Sequence, residues 1–544
     1  MKTLRFLAVL VVLALPTFSL MVRSGIFTMH DPHLFRMKEF DQCIKDRVFP
    51  CRWAADSGKG YGEPLFNYYA QFPYWLTELV HFTGLSLLDS AKIVYGLSLL
   101  LSGFTMFLLA RKYWGNKGGL VSAVFYLYAP YRSVDVWVRG ALPEALSFVL
   151  YPLLIYFLDL YLEKHSSRYL LLLAMSLALL ITTHNLSVFM FLPFLGLYWL
   201  IGAVHRHDFS GVPGLVLVGI IALGLSAYYL LPVLAENKFI DLGSTVSGYY
   251  DFHIHFATLN ELFISRFWGY GASLWAKKFL SISIGQLHWI LPLVIICLGF
   301  ILKKHNFSFL TFCLLGVAAL FLTHGKSSVI WNLVPLMKYI QFPWRFLGPA
   351  LFFLSLASGY AVSFFNWPGI RLWPVLLILL VILINYNFFR PDIWRNITDK
   401  EQYSGPLWDE GRSSSLTDFW PRSAPQPPAD FAPVSARFIS GDGLTVSAVK
   451  KSSSADYLLD VSRAPAVVSL PITYFPGWHV LVDGRSVASS PSGLLGLTSF
   501  RLLDPGFHQI YAVFSDTWPR SLGNYISLFS LLLSPLCLLK RRIG

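Results

Sequence analysis

The chain has 544 residues, of which 55% are hydrophobic, 16% aromatic and only 13% charged, and its mean hydropathy is +0.55. Soluble globular proteins carry about 25% charged residues, so this composition excludes a soluble enzyme, a disordered scaffold and a fibrous repeat. The 43 Lys and Arg against 30 Asp and Glu leave a net charge of +13, which in a membrane chain first reports which loops are cytoplasmic, and no nucleic-acid partner is expected.

A membrane-crossing helix needs about 20 mostly apolar residues. Such runs occur at 4–22, 90–110, 118–131, 143–162, 168–184, 186–204, 212–234, 286–302, 306–323, 346–366, 371–389 and 521–539. A further segment, 65–82, is apolar but crowded with aromatics and carries Pro73, Glu78 and His81. Charge decides its place. With twelve spans, the short connections Arg111 to Lys117, Glu163 to Arg168, His205 to Asp208, Lys303-Lys304-His305, Asn366 to Arg371 and the terminal Lys540-Arg541-Arg542 share one side, and nearly all are basic. That is the cytoplasmic pattern. Making 65–82 a span would export every one of them, so it is expected as an aromatic helix in the outer interface. The first run either stays as a span or is a cleaved signal peptide, given Lys2 and Arg5 before its apolar core.

The expected fold class is therefore a mainly α membrane protein, a bundle of about twelve helices, with long extracytoplasmic segments at 23–89, 132–142, 235–285, 324–345 and 390–520. Residues 1–390 form the transmembrane domain, 391–520 an extracytoplasmic β-rich domain and 521–544 a last helix with a basic tail. Within the second unit, 404–436 is rich in Ser, Pro and Asp and reads as a linker or irregular loops. The β-prone runs 457–461, 467–472, 479–482 and 509–514 follow, with Asp483-Gly484 as a hairpin turn, and together they predict a small β-sandwich-like domain.

Several polar residues on the extracytoplasmic side have types suited to chemistry. Asp31 lies within about ten residues of the first span, where a falling dielectric strengthens a base. It equally suits a cap for a helix starting at Pro32. His30, Asp31 and His33 lack a fourth ligand for a metal. Cys43 and Cys51 stand together in a polar loop, either as free thiols or as a disulfide that stabilises by roughly 2 to 3 kcal/mol. Cys297, Cys313 and Cys537 lie in apolar runs and read as packing residues. Asp135, Arg139 and Glu144 interrupt VDVWVRGALPEAL, His184 and Asn185 close the fifth span, His324 and Lys326 follow the ninth, and Arg345 sits in QFPWRF. Ionisable groups at membrane depth are costly and often functional. The plainer readings pair Arg139 with Glu144 or Asp135 and let Arg345 snorkel to headgroups. The chemical reading uses the planar guanidinium fork to hold a lipid phosphate.

The early Asp31, the aromatic stretch from Tyr68 to Trp75 and the LLARKYWG end of the following span resemble polytopic glycosyltransferases of the GT-C fold. RGALPEAL, Thr183-His184-Asn185 and QFPWRF are similar to bacterial membrane proteins named 6-pyruvoyl-tetrahydropterin synthase-related, and YFPGWHVLVDG to the end of YfhO-like membrane proteins. The resemblance implies transfer of a sugar from a polyprenyl-phosphate donor to a glycan, lipid or protein acceptor at the outer face of a bacterial inner membrane, with both termini cytoplasmic. It implies Asp31 as catalytic base, Arg345, Arg139 and His184 at the donor phosphate, and Glu144, His33 and Glu63 in acceptor or supporting roles. Many members carry a second acidic residue beside the first. Here Asp31 is flanked by His30 and Pro32, the next acids are Asp41, Asp46, Asp56 and Glu63, and a divalent cation stays open. The rival functions are a polymerase or ligase using lipid-diphosphate glycans, and a noncatalytic transporter or accessory protein whose β domain binds glycan through Tyr474 and Trp478.

Overall fold

The computed structural model describes residues 2–274, 280–365, 372–414 and 418–535. The Asn366 to Arg371 connection, Cys537 and the basic tail at 540–542 lie outside the described residues.

Helices underlie all twelve apolar runs, but the count of twelve spans is not established. Five helical segments qualify by length and composition: Thr3–Val22, Leu87–Leu127, Leu142–Lys164, Asn185–Arg206 and Pro343–Phe364. Leu87–Leu127 is long enough for two of the expected spans and breaks at Gly115, whose φ of 68° is left-handed. Four shorter apolar helices, Ser167–Thr183, Gln286–Leu302, Phe307–Thr323 and Trp373–Phe388, accompany them. The chain is a multi-pass membrane protein on this ground alone.

The expected span at 212–234 is a broken pair, Val212–Leu225 and Ala227–Phe239, bent by 77°. A break at this depth needs partners for the freed backbone groups. Ser226 Oγ donates to the Ala222 carbonyl at 2.7 Å. Arg52 donates to the Tyr228 carbonyl at 3.2 and 3.3 Å, and Ser527 Oγ accepts from the Tyr228 N–H at 2.8 Å. The segment 65–82 is likewise two helices, Leu65–Tyr68 and Phe72–His81. Pro73 has no N–H to give to the Tyr69 carbonyl, so the helix restarts there. Rather than lying only at an interface, these helices bury Tyr74 fully.

The described short connections meet in pairs at one end of the bundle. Lys112 pairs with Glu163 at 2.6 Å and with Asp159 at 3.3 Å, and the His205 ring stacks on Phe307 at 3.7 Å. The long segments gather at the other. There β1 (Ile26–Phe27) pairs antiparallel with β2 (Trp394–Arg395), tying the end of the first helix to the chain that leaves the last bundle helices.

The C-terminal unit is one antiparallel sheet built on strands β3 (Arg437–Lys450), β4 (Ser454–Thr473), β5 (Trp478–Val482), β6 (Arg485–Val487), β7 (Ser490–Ser492), β8 (Leu497–Leu502) and β9 (Gly506–Phe514). The order is β6-β5-β9-β4-β8-β7, with β3 also on β4. The long β4 pairs with β9 through its first half and with β8 through its second. Ala455, Tyr457, Leu459 and Val461 point inward, and after the bend at 462–465 so do Ala466, Val468, Leu470 and Ile472. The switch of parity lets one strand cover a shared core from both halves, so the sandwich is a single folded sheet. Asp483 and Gly484 have φ of 49° and 79° and close the β5–β6 hairpin as expected. Trp478 is buried against Trp53 and Phe514, which makes it core rather than a glycan platform.

Cys43 and Cys51 are disulfide-bonded. The neighbouring loop holds Glu63, whose Oε1 accepts from Ser57 at 2.5 Å and whose Oε2 has no partner. Burial pushes its carboxyl up to about 8. Burial does the same to Glu39, raising it to about 8 with help from the Asp56 carboxylate. Between roughly pH 4.5 and 8 the folded protein holds protons on these groups that the unfolded chain releases, so their contribution to stability falls as pH rises through that window. Glu63→Gln should therefore raise the thermal midpoint at pH 8 more than at pH 5. The difference is bounded by about 1.4 kcal/mol per pH unit, and equal shifts at both pH values in a detergent melt would refute it.

Candidate active site

Residues 28–31 are held as an extended strap by their backbone. Thr28 N–H donates to the Ile393 carbonyl at 3.0 Å, His30 N–H to Val138 at 3.2 Å and Asp31 N–H to Arg139 at 2.9 Å. The strap passes close to Gly140, which has a φ of 63°. A Cβ there would lie 2.5 Å from the Cβ of Met29, so only glycine fits both the turn and the contact. The Asp31 side chain caps nothing. Pro32 occupies the N-cap of the helix His33–Lys45, with no side-chain cap bond.

Asp31 opens into a cavity of about 670 Å³, whose lining also includes His30, Arg139, His184 and Arg345. Its floor is a buried charge cluster. The π-helical turn Val134–Arg139 presents Arg139, whose Nη1 bonds Glu144 Oε2 at 2.6 Å and Asp135 Oδ1 at 2.9 Å. Arg345 Nη1 donates to the Ile340 carbonyl at 2.8 Å and to Gln341 Oε1 at 3.2 Å, and its Nε stands 4.0 Å from Glu144. Its side chain is 10% exposed, so it does not snorkel to headgroups. Among the described residues every hydrogen bond of either guanidinium runs through Nη1. Nη2 of each is left for a ligand, and two such forks on one cavity suit an anionic group of phosphate type.

The rim is aromatic. Phe342 and Trp344 stack at 5.0 Å, Tyr249 and Tyr250 meet Phe342 at 5.9 and 6.1 Å, and Arg139 lies 4.9 Å over the Trp344 ring. Ser273 fixes this wall from the 235–285 segment by accepting from Trp344 Nε1 at 3.0 Å. Aromatic faces beside hydrogen-bonding groups suit an amphipathic ring such as a sugar.

Three expected site residues stand off the cavity lining. Glu144 lies behind Arg139 and is held by the Tyr131 hydroxyl at 2.5 Å. His33 is fully buried behind Asp31, with Nε2 3.8 Å from Asp31 Oδ2 and Nδ1 3.0 Å from the Tyr74 hydroxyl. Burial, with the nearby Arg36 charge, holds its pKa well below the usual imidazole range. That favours the neutral imidazole beside Asp31. Glu63 is spent on Ser57 in the loop described above. His184 does line the cavity, with Nδ1 2.7 Å from Ser187 Oγ.

The second acid at the cavity is none of those closest in sequence. Asp41 is engaged by Lys38 and Lys45, and Asp46 by Ser452. The cavity acid is Asp418, in the stretch expected to be a linker or irregular loops, with Phe419 beside it. Asp418 Oδ2 accepts from Arg36 Nη2 at 3.2 Å, and Arg36 lies 4.1 Å over the Tyr69 ring. Burial raises the Asp418 pKa, Arg36 opposes this and Asp31 adds to it. Burial weakens the Arg36 cation, but Tyr69, Tyr74 and the two carboxylates outweigh it, and its pKa is raised. Nothing in the sequence around Ser414 to Trp420 marks this role. Among the described residues no group of three or more His, Cys, Asp or Glu side chains is arranged to hold a metal ion.

Residues 70–231 match the dolichyl-phosphate-mannose-protein mannosyltransferase family. The match covers Arg139, Glu144 and His184 but neither Asp31 nor Arg345, and it supports the resemblance to GT-C membrane glycosyltransferases over that stretch. An uncharacterized protein of Lactococcus lactis subsp. cremoris is 25% identical over 206 residues, 36% of this chain and 33% of that protein. The chain thus spans about a third of the length of the curated relative it matches. Among solved structures, the chain is similar to arabinofuranosyltransferase AftD from Mycobacteria, with a TM-score of 0.44 and 16% identity over 73% of this chain and 28% of that one. It is also similar to ArnT from Cupriavidus metallidurans bound to undecaprenyl phosphate, with a TM-score of 0.39 and 14% identity over 70% and 63%. Neither likeness places a residue of this chain.

Breaking a buried ion pair from one side costs about 3–5 kcal/mol, because the other charge is left uncompensated. Glu144→Ala removes the shorter of Arg139's two ion pairs and leaves it with Asp135 alone beside the Trp344 ring. It should lower the thermal midpoint of the purified protein far more than Asp31→Asn, whose side chain is 36% exposed. Equal midpoints for the two variants would show that the cluster does not hold the floor together.

Proposed function

We propose that this protein is a glycosyltransferase that moves a sugar from a polyprenyl phosphate to a cell-envelope acceptor at the outer face of a bacterial inner membrane. The observation that carries the reading is that Asp31 and two guanidiniums, Arg345 and Arg139, line a single cavity. The match of residues 70–231 to a mannosyltransferase family supports it.

In this reading Asp31 takes the proton of the acceptor hydroxyl as its oxygen bonds to the anomeric carbon. The bond from that carbon to the donor phosphate oxygen breaks, and the polyprenyl phosphate leaves with the electron pair. One C–O bond forms, one breaks, and the proton ends on the Asp31 carboxyl. Nη2 of Arg345 and of Arg139 meets the charge that develops on the leaving phosphate. Attack opposite the leaving group inverts the anomeric carbon. The aromatic rim orients the sugar, and Glu144 holds Arg139 in place. Asp418 holds Arg36 at the wall next to Asp31.

General base catalysis is worth about 10² to 10⁴ in rate. Asp31→Asn should therefore cut transfer of radiolabelled sugar from polyprenyl-phosphate donors to acceptor membranes by that factor at unchanged expression. Wild-type transfer by the variant would remove Asp31 as the base. Arg345→Ala should weaken binding of undecaprenyl phosphate in a fluorescence titration, and unchanged affinity would remove its role at the donor phosphate.

A further inference from the structure

Beside the cavity lies a second opening that the transfer reading leaves unused. It encloses about 510 Å³ and shares Asn237, Leu242 and Tyr339 with the cavity lining, so the two adjoin along a common wall. Its charged residues are Lys238, Lys338, Arg422 and Asp241. Three cations thus face one carboxylate. Asp241 Oδ1 is already occupied by the Gly243 N–H at 2.8 Å. Lys238 and Lys338 lie over the Phe239 and Tyr339 rings at 5.1 and 5.3 Å. Among the described residues neither ammonium enters a hydrogen bond or an ion pair. Arg422 is fixed by its Nε, which donates to the Ile240 carbonyl at 2.9 Å, and by its N–H, which donates to Phe239 at 2.8 Å. Among the described residues its terminal nitrogens enter no hydrogen bond or ion pair, and Arg422 lines the opening. Cations that are rigidly based, poorly paired and gathered at the entrance to a site attract an anion rather than stabilise a fold.

We propose that this bay binds an anionic acceptor, a chain bearing phosphate or carboxylate groups. Its charges rest on Lys238, Lys338 and Arg422 while its hydroxyl reaches past Tyr339 to Asp31. The assignment rests on the transfer reading above and adds the chemical class of the acceptor. It separates two anionic subsites: the donor phosphate on the cavity floor at Arg345 and Arg139, and the acceptor charge in the bay. Exposed charges are screened within a Debye length of about 8 Å at physiological salt, so binding in the bay is salt-sensitive, whereas binding at the buried floor is much less so.

The test uses the full chain in phosphatidylcholine nanodiscs, with fluorescein-labelled dextran sulfate as the polyanion probe, neutral dextran as its control and undecaprenyl phosphate as the donor-site probe. Lys238→Ala with Lys338→Ala should weaken dextran sulfate binding about tenfold and leave undecaprenyl phosphate binding within twofold of wild type. Arg345→Ala should do the reverse. Equal dextran sulfate affinity in wild type and the double variant overturns the bay as an anion site. Loss of undecaprenyl phosphate binding in the double variant overturns the division into subsites, because the bay would then serve the donor. Displacement of dextran sulfate by phosphatidylglycerol in the nanodisc overturns the acceptor assignment in favour of a lipid headgroup. Failure of the transfer reading appears separately, as undecaprenyl phosphate binding unchanged by Arg345→Ala.

Discussion

The structure of the site depends on one buried charge cluster, the Arg139 guanidinium held between Asp135 and Glu144. Charges removed from water are tolerated only when their partners are close and correctly aimed. That condition constrains everything around them. The π turn at Val134–Arg139 and the start of the helix Leu142–Lys164 must meet at Gly140, because these segments supply all three charges. The strap at 28–31 is then positioned by the carbonyls of Val138 and Arg139. Asp31 stands at the cavity because the backbone beneath it is fixed by the need to pair Arg139.

A second knot ties the β domain to the bundle. Glu236 Oε2 bonds Arg520 Nη2 at 2.9 Å and Asn67 Nδ2 at 2.8 Å, while Arg52 reaches Asp516 at 2.9 Å and Asn524 at 2.8 Å. These residues come from the 23–89 segment, the bent helix pair, the end of the sheet and the last helix. They meet where the break at Ser226 frees backbone groups that need partners. The chain that enters the β unit also packs at the cavity. It supplies Asp418 and Phe419 to a wall of the cavity.

Much of this architecture was legible in the sequence. Over the described residues the twelve apolar runs coincide with helices, because a run of that length must satisfy its backbone internally. The alternation at 457–461 and the turn at Asp483-Gly484 were readable for the same kind of local reason. The pairing of Arg139 with Glu144 or Asp135 was readable from their spacing, and the structure gives it both; that Asp31 and Arg345 line one cavity was not readable there. Local pattern failed where the outcome depended on a distant partner. The bend at Ser226 depends on Arg52 and Ser527, and Glu63 went to Ser57 rather than to the cavity. His33 was drawn inward by Tyr74. Arg345, which composition alone would send to the headgroups, is held by Gln341 and the Ile340 carbonyl.

The sequence by itself determined that the chain lives in a bilayer, which stretches are helical or β-prone, and that its ionisable residues concentrate at the ends of its spans. These properties follow from transfer energies and backbone hydrogen bonding, which act over a few neighbouring residues. Only the tertiary structure decided which of those residues share a cavity, that Asp418 rather than a neighbour of Asp31 supplies the second acid, and that Lys238, Lys338 and Arg422 adjoin it. A carboxylate far along the chain carries no local mark of the guanidinium it will meet. Its partner is chosen by how the helices pack and by the cost of leaving either charge alone in a low-dielectric interior.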